Sequence, residues 1–307
     1  YGTRFVPPES KIEEKLGAEH LVRDCGTWVD ENKKTIHYWT KPIDEVVKRT
    51  FARECKNCLV DIKKIASIDI VLGGDHGQGK FRAVIKIIMR FVGAGVEPIV
   101  VVIKVGHIEA KKDTYQILLN TVTPSMNEAI KRIKQGGDVL RVFNNTETGA
   151  VELTFSNDNQ QAQDCKWAMP IRVFMSGDLA FFATALGKVN SSASWCIWCD
   201  LPRKLWEEGN HASGSMWTIQ RLKNVLAGLL DGTVEDAPTF RRGITQDPLF
   251  DSVDLTNYIL SLLHIKIGVG NQLLKMLLDW IDMGLENIGE EELDIRDEYY
   301  EALMEYE

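Results

Sequence analysis

Apolar and polar residues alternate from Phe81 to Phe91. Phe81, Ala83, Ile85, Ile87, Met89 and Phe91 fall on one side, while Arg82, Lys86 and Arg90 share the other with Val84 and Ile88. A period of two sustained over this length predicts a strand with one face in a core. Two neighbours complete a strand-rich block: Ser67–Gly73 (SIDIVLG) and Pro98–Val105 (PIVVVIKV), the second apolar enough to be buried on both faces. The period then changes. Lys111–Asn120 and Pro124–Lys134 read as helices, the second with Thr123 as N-cap and Pro124 at the first helical position. Val139–Phe143 and Val151–Phe155 flank a polar turn, Asn144–Gly149, and predict a hairpin. Ile171–Met175 reads as a strand that runs through Ser176-Gly177 into a helix from Asp178 to Leu186. Three early strands followed by helix, strand and helix predict an α/β fold with an antiparallel start.

The flanks differ in texture. Residues 1–66 are highly charged, carry a helix-like stretch from Pro42 to Lys56, and read as an appended N-terminal segment. Residues 67–190 form the expected core. Residues 191–307 read as a mostly helical region, with helices at Ser215–Leu230 and Leu255–Met283 and an acidic C-terminal helix.

Net charge alters this picture. At −8 over 307 residues the chain is a poor nucleic-acid binder on bulk charge. The acidity is local, however. Residues 281–307 hold eleven acids and one base, Arg296, a net −10 that leaves the other 280 residues at +2. The tail reads as a solvated helix face or the start of a coiled coil. The longest unbroken aliphatic run, Ile99–Ile103, is far too short to span a bilayer, and no basic-then-apolar leader opens the chain. No membrane partner is expected. The chain begins with Tyr1 rather than Met, so a missing N-terminus is expected.

Of six cysteines, four form C-x-x-C pairs, Cys55/Cys58 and Cys196/Cys199. In a chain this long they argue for a reducing intracellular compartment rather than a disulfide scaffold. Cys196-Ile197-Trp198-Cys199 has the form of a knuckle that gives two thiolates to tetrahedral Zn²⁺; the other ligands are open among Cys55, Cys58, His211 and His264, and two buried thiols or a redox pair are the alternatives.

Two aspartates stand out. Gly73-Gly74-Asp75-His76-Gly77-Gln78-Gly79-Lys80 follows the first strand. It approaches a phosphate loop, but the next residue is Phe81, which has no hydroxyl for Mg²⁺, and the following residues alternate as a strand where a phosphate loop opens a helix. A glycine-rich hairpin, or Asp75 as a strand-end metal ligand, remain. Asp178 in Met175-Ser176-Gly177-Asp178-Leu179 reads alone as a helix N-cap. Paired with Asp75, it supplies the hard oxygen ligands that suit two Mg²⁺ or Mn²⁺ ions in phosphodiester chemistry.

These motifs have an order. Gly74-Asp75-His76-Gly77, Ser176-Gly177-Asp178-Leu179, Trp195-Cys196-x-x-Cys199-Asp200-Leu201 and Leu263-His264-Ile265-Lys266-Ile267-Gly268-Val269-Gly270-Asn271 together resemble the DDE transposases. More closely, they resemble the group that holds the Transib transposases and the catalytic subunit of the V(D)J recombinase, over about residues 60–280. The resemblance implies an RNase H-like mixed sheet flanked by helices, with a mostly helical zinc-binding insertion. It also implies Asp75 and Asp178 as the first two catalytic acids on two Mg²⁺ or Mn²⁺ ions, and Cys196 and Cys199 as the thiolate half of a structural Zn²⁺ site. DNA as partner, a homo-oligomer or partner subunit, and a nuclear location follow from it too. A third acid, a Glu on a late helix, is implied after the insertion. Glu286, Glu290, Glu291 and Glu292 are present without a recognisable motif, which leads us to expect a fragment or a repurposed relative.

Two function classes follow. One is a DNA-cutting catalytic core in which Lys80, Arg82, Lys86 and Arg90 face the phosphate backbone and Trp195 and Trp198 stack on an unpaired base. The other is a non-catalytic RNase H-like, zinc-binding interaction module, in which those cations form a solvated strand face and the tryptophans pack the core.

Overall fold

The structure is a computed structural model. It describes residues 24–57, 61–77, 79–93, 95–110, 114–144, 151–155, 165–188, 196–201, 214–233, 243–260, 266 and 270–278; for Asp75 and His76 the description extends to the backbone alone. Two compact units divide the chain, Tyr1–Ile259 and Leu260–Glu307. In the second, residues 270–278 are helical.

The first unit is mixed α/β. Among the described residues nine strands form one sheet: β1 (Asp24–Val29), β2 (Thr35–Thr40), β3 (Ile65–Gly77), β4 (Lys80–Phe91), β5 (Ile99–Ile108), β6 (Val139–Asn144), β7 (Val151–Thr154), β8 (Trp167–Gly177) and β9 (Tyr258–Leu260). Their order is β1-β2-β5-β4-β3-β8-β6-β7, with β9 also on β8. The neighbours β1–β2, β2–β5, β5–β4, β4–β3, β8–β6 and β6–β7 run antiparallel, whereas β3 and β8 run parallel. The sheet therefore takes in two strands, β1 and β2, that precede Ser67.

The period of two in β4 has the predicted result. Phe81, Ala83, Ile85, Ile87 and Met89 are buried, as are Ile68, Ile70 and Leu72 of β3 and Ile171, Val173 and Met175 of β8. The opposite face is more open: Lys86 and Arg90 are exposed, as are Val100 and Val102 of β5, so β5 is not buried on both faces as its aliphatic run predicts. Helix α1 (Ile43–Asn57) buries Val46, Val47 and Phe51. It packs on α3 (Thr123–Gln135), which follows α2 (Tyr115–Asn120) and buries Met126, Ala129, Ile130 and Ile133. Asp44 of α1 takes a bidentate pair of bonds from Arg132 of α3, at 2.8 and 3.0 Å. Helices α4 (Leu179–Ala185) and α5 (Ile219–Leu230) follow β8.

Two local expectations are corrected. Val122, not Thr123, caps α3; Thr123 enters the helix itself, and its hydroxyl is buried without a hydrogen-bond partner among the described residues. Leu255 does not begin a long helix. Leu255–Asn257 forms one 3-10 turn and Tyr258–Leu260 joins β8 as strand β9, so the local turn and sheet pairing override the helical period. The Gly73–Lys80 segment is the β3–β4 hairpin: Gly77 pairs with Lys80 around a two-residue turn in which Gly79 sits at φ +72°. A strand rather than a helix follows it, as the alternation from Phe81 predicts. The predicted hairpin tip at 145–150 lies outside the described residues.

Candidate functional site

The registers draw one transverse row across the sheet. Cys25 of β1 pairs with Trp39 of β2, Trp39 with His107 of β5, His107 with Arg82 of β4, and Arg82 with Asp75 of β3. Beyond β3 the parallel partner is β8, where Gly73 stands opposite Ser176. Two residues further along each chain stand Asp75, still inside β3, and Asp178, one residue past the end of β8.

The sequence around Asp178 makes this end compact. Asp178 is the N-cap of α4, and its Oδ1 accepts a hydrogen bond from the Phe181 N–H at 2.7 Å. That bond leaves Oδ2 for another partner. Phe181 then folds back over both strand ends. A Cβ on Gly177 would lie 2.4 Å from the Phe181 ring, and one on Gly74 would lie 2.2 Å from the Phe81 ring and 3.1 Å from Phe181. The glycine before each aspartate is thus a seat for an aromatic ring. Phe181 stacks on Phe81 at 6.0 Å, and Phe182 stands edge-on to Trp198 at 6.3 Å and to Tyr258 at 5.3 Å. Trp198 therefore packs in this aromatic cluster; Trp195 lies outside the described residues.

Cys196 and Cys199 are free, half-buried thiols on one tight turn. Burial pushes the Cys199 thiol up, the Leu201 backbone draws it down by hydrogen bonding, and the neighbouring Cys196 thiol pushes it up again. The turn is tied down on three sides. Lys188, itself buried, donates from Nζ to the Cys196 carbonyl at 2.7 Å, and desolvation holds its amine down at about 8. Asp200 accepts from the Ser215 N–H at 2.7 Å and from Arg221 at 2.6 Å, and Trp217 N–H donates to the Trp198 carbonyl at 2.7 Å. The Arg221 guanidinium lies over the Trp217 ring at 4.6 Å. Two adjacent thiols on a rigid turn suit half of a tetrahedral zinc site. Among the described residues no group of three or more His, Cys, Asp or Glu side chains is gathered to hold a metal, so Cys55 does not join the pair. Cys58, His211 and His264 lie outside the described residues, as do Glu286, Glu290, Glu291 and Glu292.

The four predicted cations do not act alike. Lys80 and Lys86 are exposed and Arg82 is half-buried in the row. Arg90 is held at 2.6 Å by Asp69, which also takes a bidentate pair from Arg172 of β8 at 2.7 and 3.0 Å. The Asp69 side chain is only 3% exposed, against 48% for Arg90 and 54% for Arg172, so a sunken carboxylate props two guanidiniums outward.

Trp39, His107, Lys104, Asp69 and Arg172 were not found by sequence reasoning. The reason at His107 is a bulge. Ala83 pairs with Gly106 and Val84 with Lys104, so β5 carries one extra residue, Val105. This extra residue brings His107 to the same face as Lys104 and Arg82. Desolvation, then Lys104 and Lys80, lower the His107 pKa from 6.5, which keeps the imidazole neutral at pH 7.

No protein-family model matches this chain, and neither does any curated protein.

Proposed function

We propose that this chain carries the catalytic-core region of a DDE-type transposase or recombinase. It would have an RNase H-like fold and act on DNA phosphodiesters with two Mg²⁺ or Mn²⁺ ions at Asp75 and Asp178. The observation that carries the reading is the parallel pairing of β3 with β8: it ends at Gly73 and Ser176, and the two aspartates, about a hundred residues apart in sequence, each follow two residues later. Carboxylate oxygens are the donors that these ions take. Asp178 would use Oδ2, because Oδ1 caps α4. When bound, the ions activate the attacking oxygen and stabilise the leaving one. Arg82, opposite Asp75 in the ladder, and Lys80 at the hairpin hold the phosphate, while Lys86, Arg90 and Arg172 extend the basic face along the backbone. Cys196 and Cys199 supply the thiolates of a structural Zn²⁺ that fixes the turn.

A second reading has an observation of its own. The capping bond of Asp178 is a structural role that needs no metal, which suits a non-catalytic RNase H-like, zinc-binding interaction module. One assay separates the two. Supercoiled plasmid is incubated with Mn²⁺ and either the wild-type chain or the Asp75→Ala/Asp178→Ala variant. Nicking by wild type alone supports the catalytic core. Equal nicking by both, or none by either, leaves the interaction module. Zinc below about half an equivalent per chain, with Cys196 and Cys199 freely reactive to a thiol reagent, would remove the zinc assignment.

A further inference from the structure

At the far end of the row from the two aspartates, a cavity of about 440 Å³ opens on the face that carries Trp39. Cys25, Thr27, His37, Trp39, His107 and Glu109 line it. Three observations give it a ligand chemistry. The Trp39 indole is half-buried, and two ammonium groups attend it, Lys41 at 5.6 Å and Lys104 at 5.4 Å from the ring centroid. His107 lies nearly parallel to the indole, with ring centroids 6.2 Å apart and planes 26° apart. Its Nδ1 is buried and has no hydrogen-bond partner among the described residues. The site thus offers an aromatic ring, two cations over that ring, and one unused polar atom. Glu109 is the one carboxylate among the lining residues, and its Oε1 stands 3.9 Å from His107 Nε2.

We infer that Trp39 is the stacking platform of a binding site for an unpaired nucleotide of a nucleic-acid strand. The base lies on the indole, its edge meets His107 Nδ1, and Lys41 and Lys104 take the flanking phosphates. Base stacking on an aromatic side chain, combined with lysines that track the backbone, is the general chemistry of single-strand recognition. A cavity this size takes one nucleotide unit, and cations continue from it along the sheet through Arg82 to Lys80. Trp39 stands three strand spacings from Asp75, about 14 Å, so a strand anchored here runs toward the two acids. The inference deepens the proposed function and rests on it for the fate of the strand, though not for the binding itself.

The test is fluorescence anisotropy of a labelled oligothymidylate 12-mer with the full chain in EDTA, where no cutting takes place. Wild type is expected to bind, and Trp39→Ala to bind about tenfold more weakly, in the range of one lost base stack. Trp39→Phe is expected to recover most of the loss. Should Trp39→Ala fold poorly, the Lys41→Gln/Lys104→Gln variant carries the test: the slope of log affinity against log salt is expected to fall by about 1.4, two single-strand phosphate contacts. Binding by Trp39→Ala equal to wild type, an unchanged salt slope in the lysine variant, or no oligonucleotide binding by wild type would overturn the inference. Saturation by free thymidine monophosphate with no gain from the oligonucleotide would overturn it as well. Binding as expected in EDTA without nicking in Mn²⁺ sinks the catalytic reading and leaves this site standing.

Discussion

Gly177→Ala tests the construction of the site end most directly. A Cβ at residue 177 would stand 2.4 Å from Phe181 Cδ1 and 3.2 Å from Cγ. Carbon atoms in contact keep about 3.5–4.0 Å, so the nearest pair overlaps by more than 1 Å. The ring has little room to retreat. Phe181 is 4% exposed and lies between Phe81 and Phe182, while residue 177 ends a strand hydrogen-bonded into the sheet. Overpacking of a closed site costs about 1–3 kcal/mol, and a middle value of about 2 kcal/mol lowers Tm by about 4–8 °C in a unit of this size. The assay is thermal denaturation of wild type, Gly177→Ala, Phe181→Leu and the double variant. Leucine removes the clashing ring edge, so the double variant is expected to be more stable than the sum of the single losses by at least about 0.5 kcal/mol. Melting of Gly177→Ala within about 1 °C of wild type, or strict additivity, would refute the seat of Phe181 between the two glycines.

Further outcomes follow from the same geometry. Asp178→Asn keeps a capping oxygen for the Phe181 N–H and is expected to unfold within about 0.5 kcal/mol of wild type, whereas Asp178→Ala loses about 1 kcal/mol; Mn²⁺-dependent nicking is expected to vanish in both. His107 contributes stability through its neutral form: its folded pKa lies below the ordinary 6.5, so the contribution is full above about pH 6.5 and is lost as pH falls through the folded value. Melting curves between pH 5 and 8 are therefore expected to flatten in His107→Gln. Asp69→Ala releases Arg90 and Arg172, both about half exposed, so hydration offsets much of the lost pairing and the expected cost by chemical denaturation is only about 1 kcal/mol.

The elements that packing alone decides were readable from the chain. The alternation of β4 named its buried face from Phe81 to Met89, with Phe91 only half-buried, and the run from Ile171 through Asp178 was rightly read as strand then helix. What failed depended on partners distant in sequence. Counting by twos from Lys104 sends His107 to the core face; only the extra residue against Ala83–Val84 reverses that, and no local signal marks it. Tyr258–Leu260 has a helical period, yet the open flank of β8 recruits it as a strand. Asp69 was passed over because its two arginines come from β4 and β8, the second of them 103 residues away. Asp178 was legible as a helix N-cap, whereas Asp75, read as lying at a strand end, stands inside β3 opposite Arg82.

That register has a kinetic consequence. The β3–β4 hairpin closes around two residues, a microsecond event. The β3–β8 pair joins segments 103 residues apart, with strands β4 and β5, two helices and a hairpin between them, and has to meet a large closure entropy before any contact rewards it. The half of the site on β3 therefore exists early, and the half on β8 arrives with the final long-range closure. Pulse-labelled hydrogen exchange is expected to protect the amides of β4 before those of β8. A chain interrupted during folding would present one aspartate without the other, so any chemistry at this sheet end switches on only once the whole first unit has assembled.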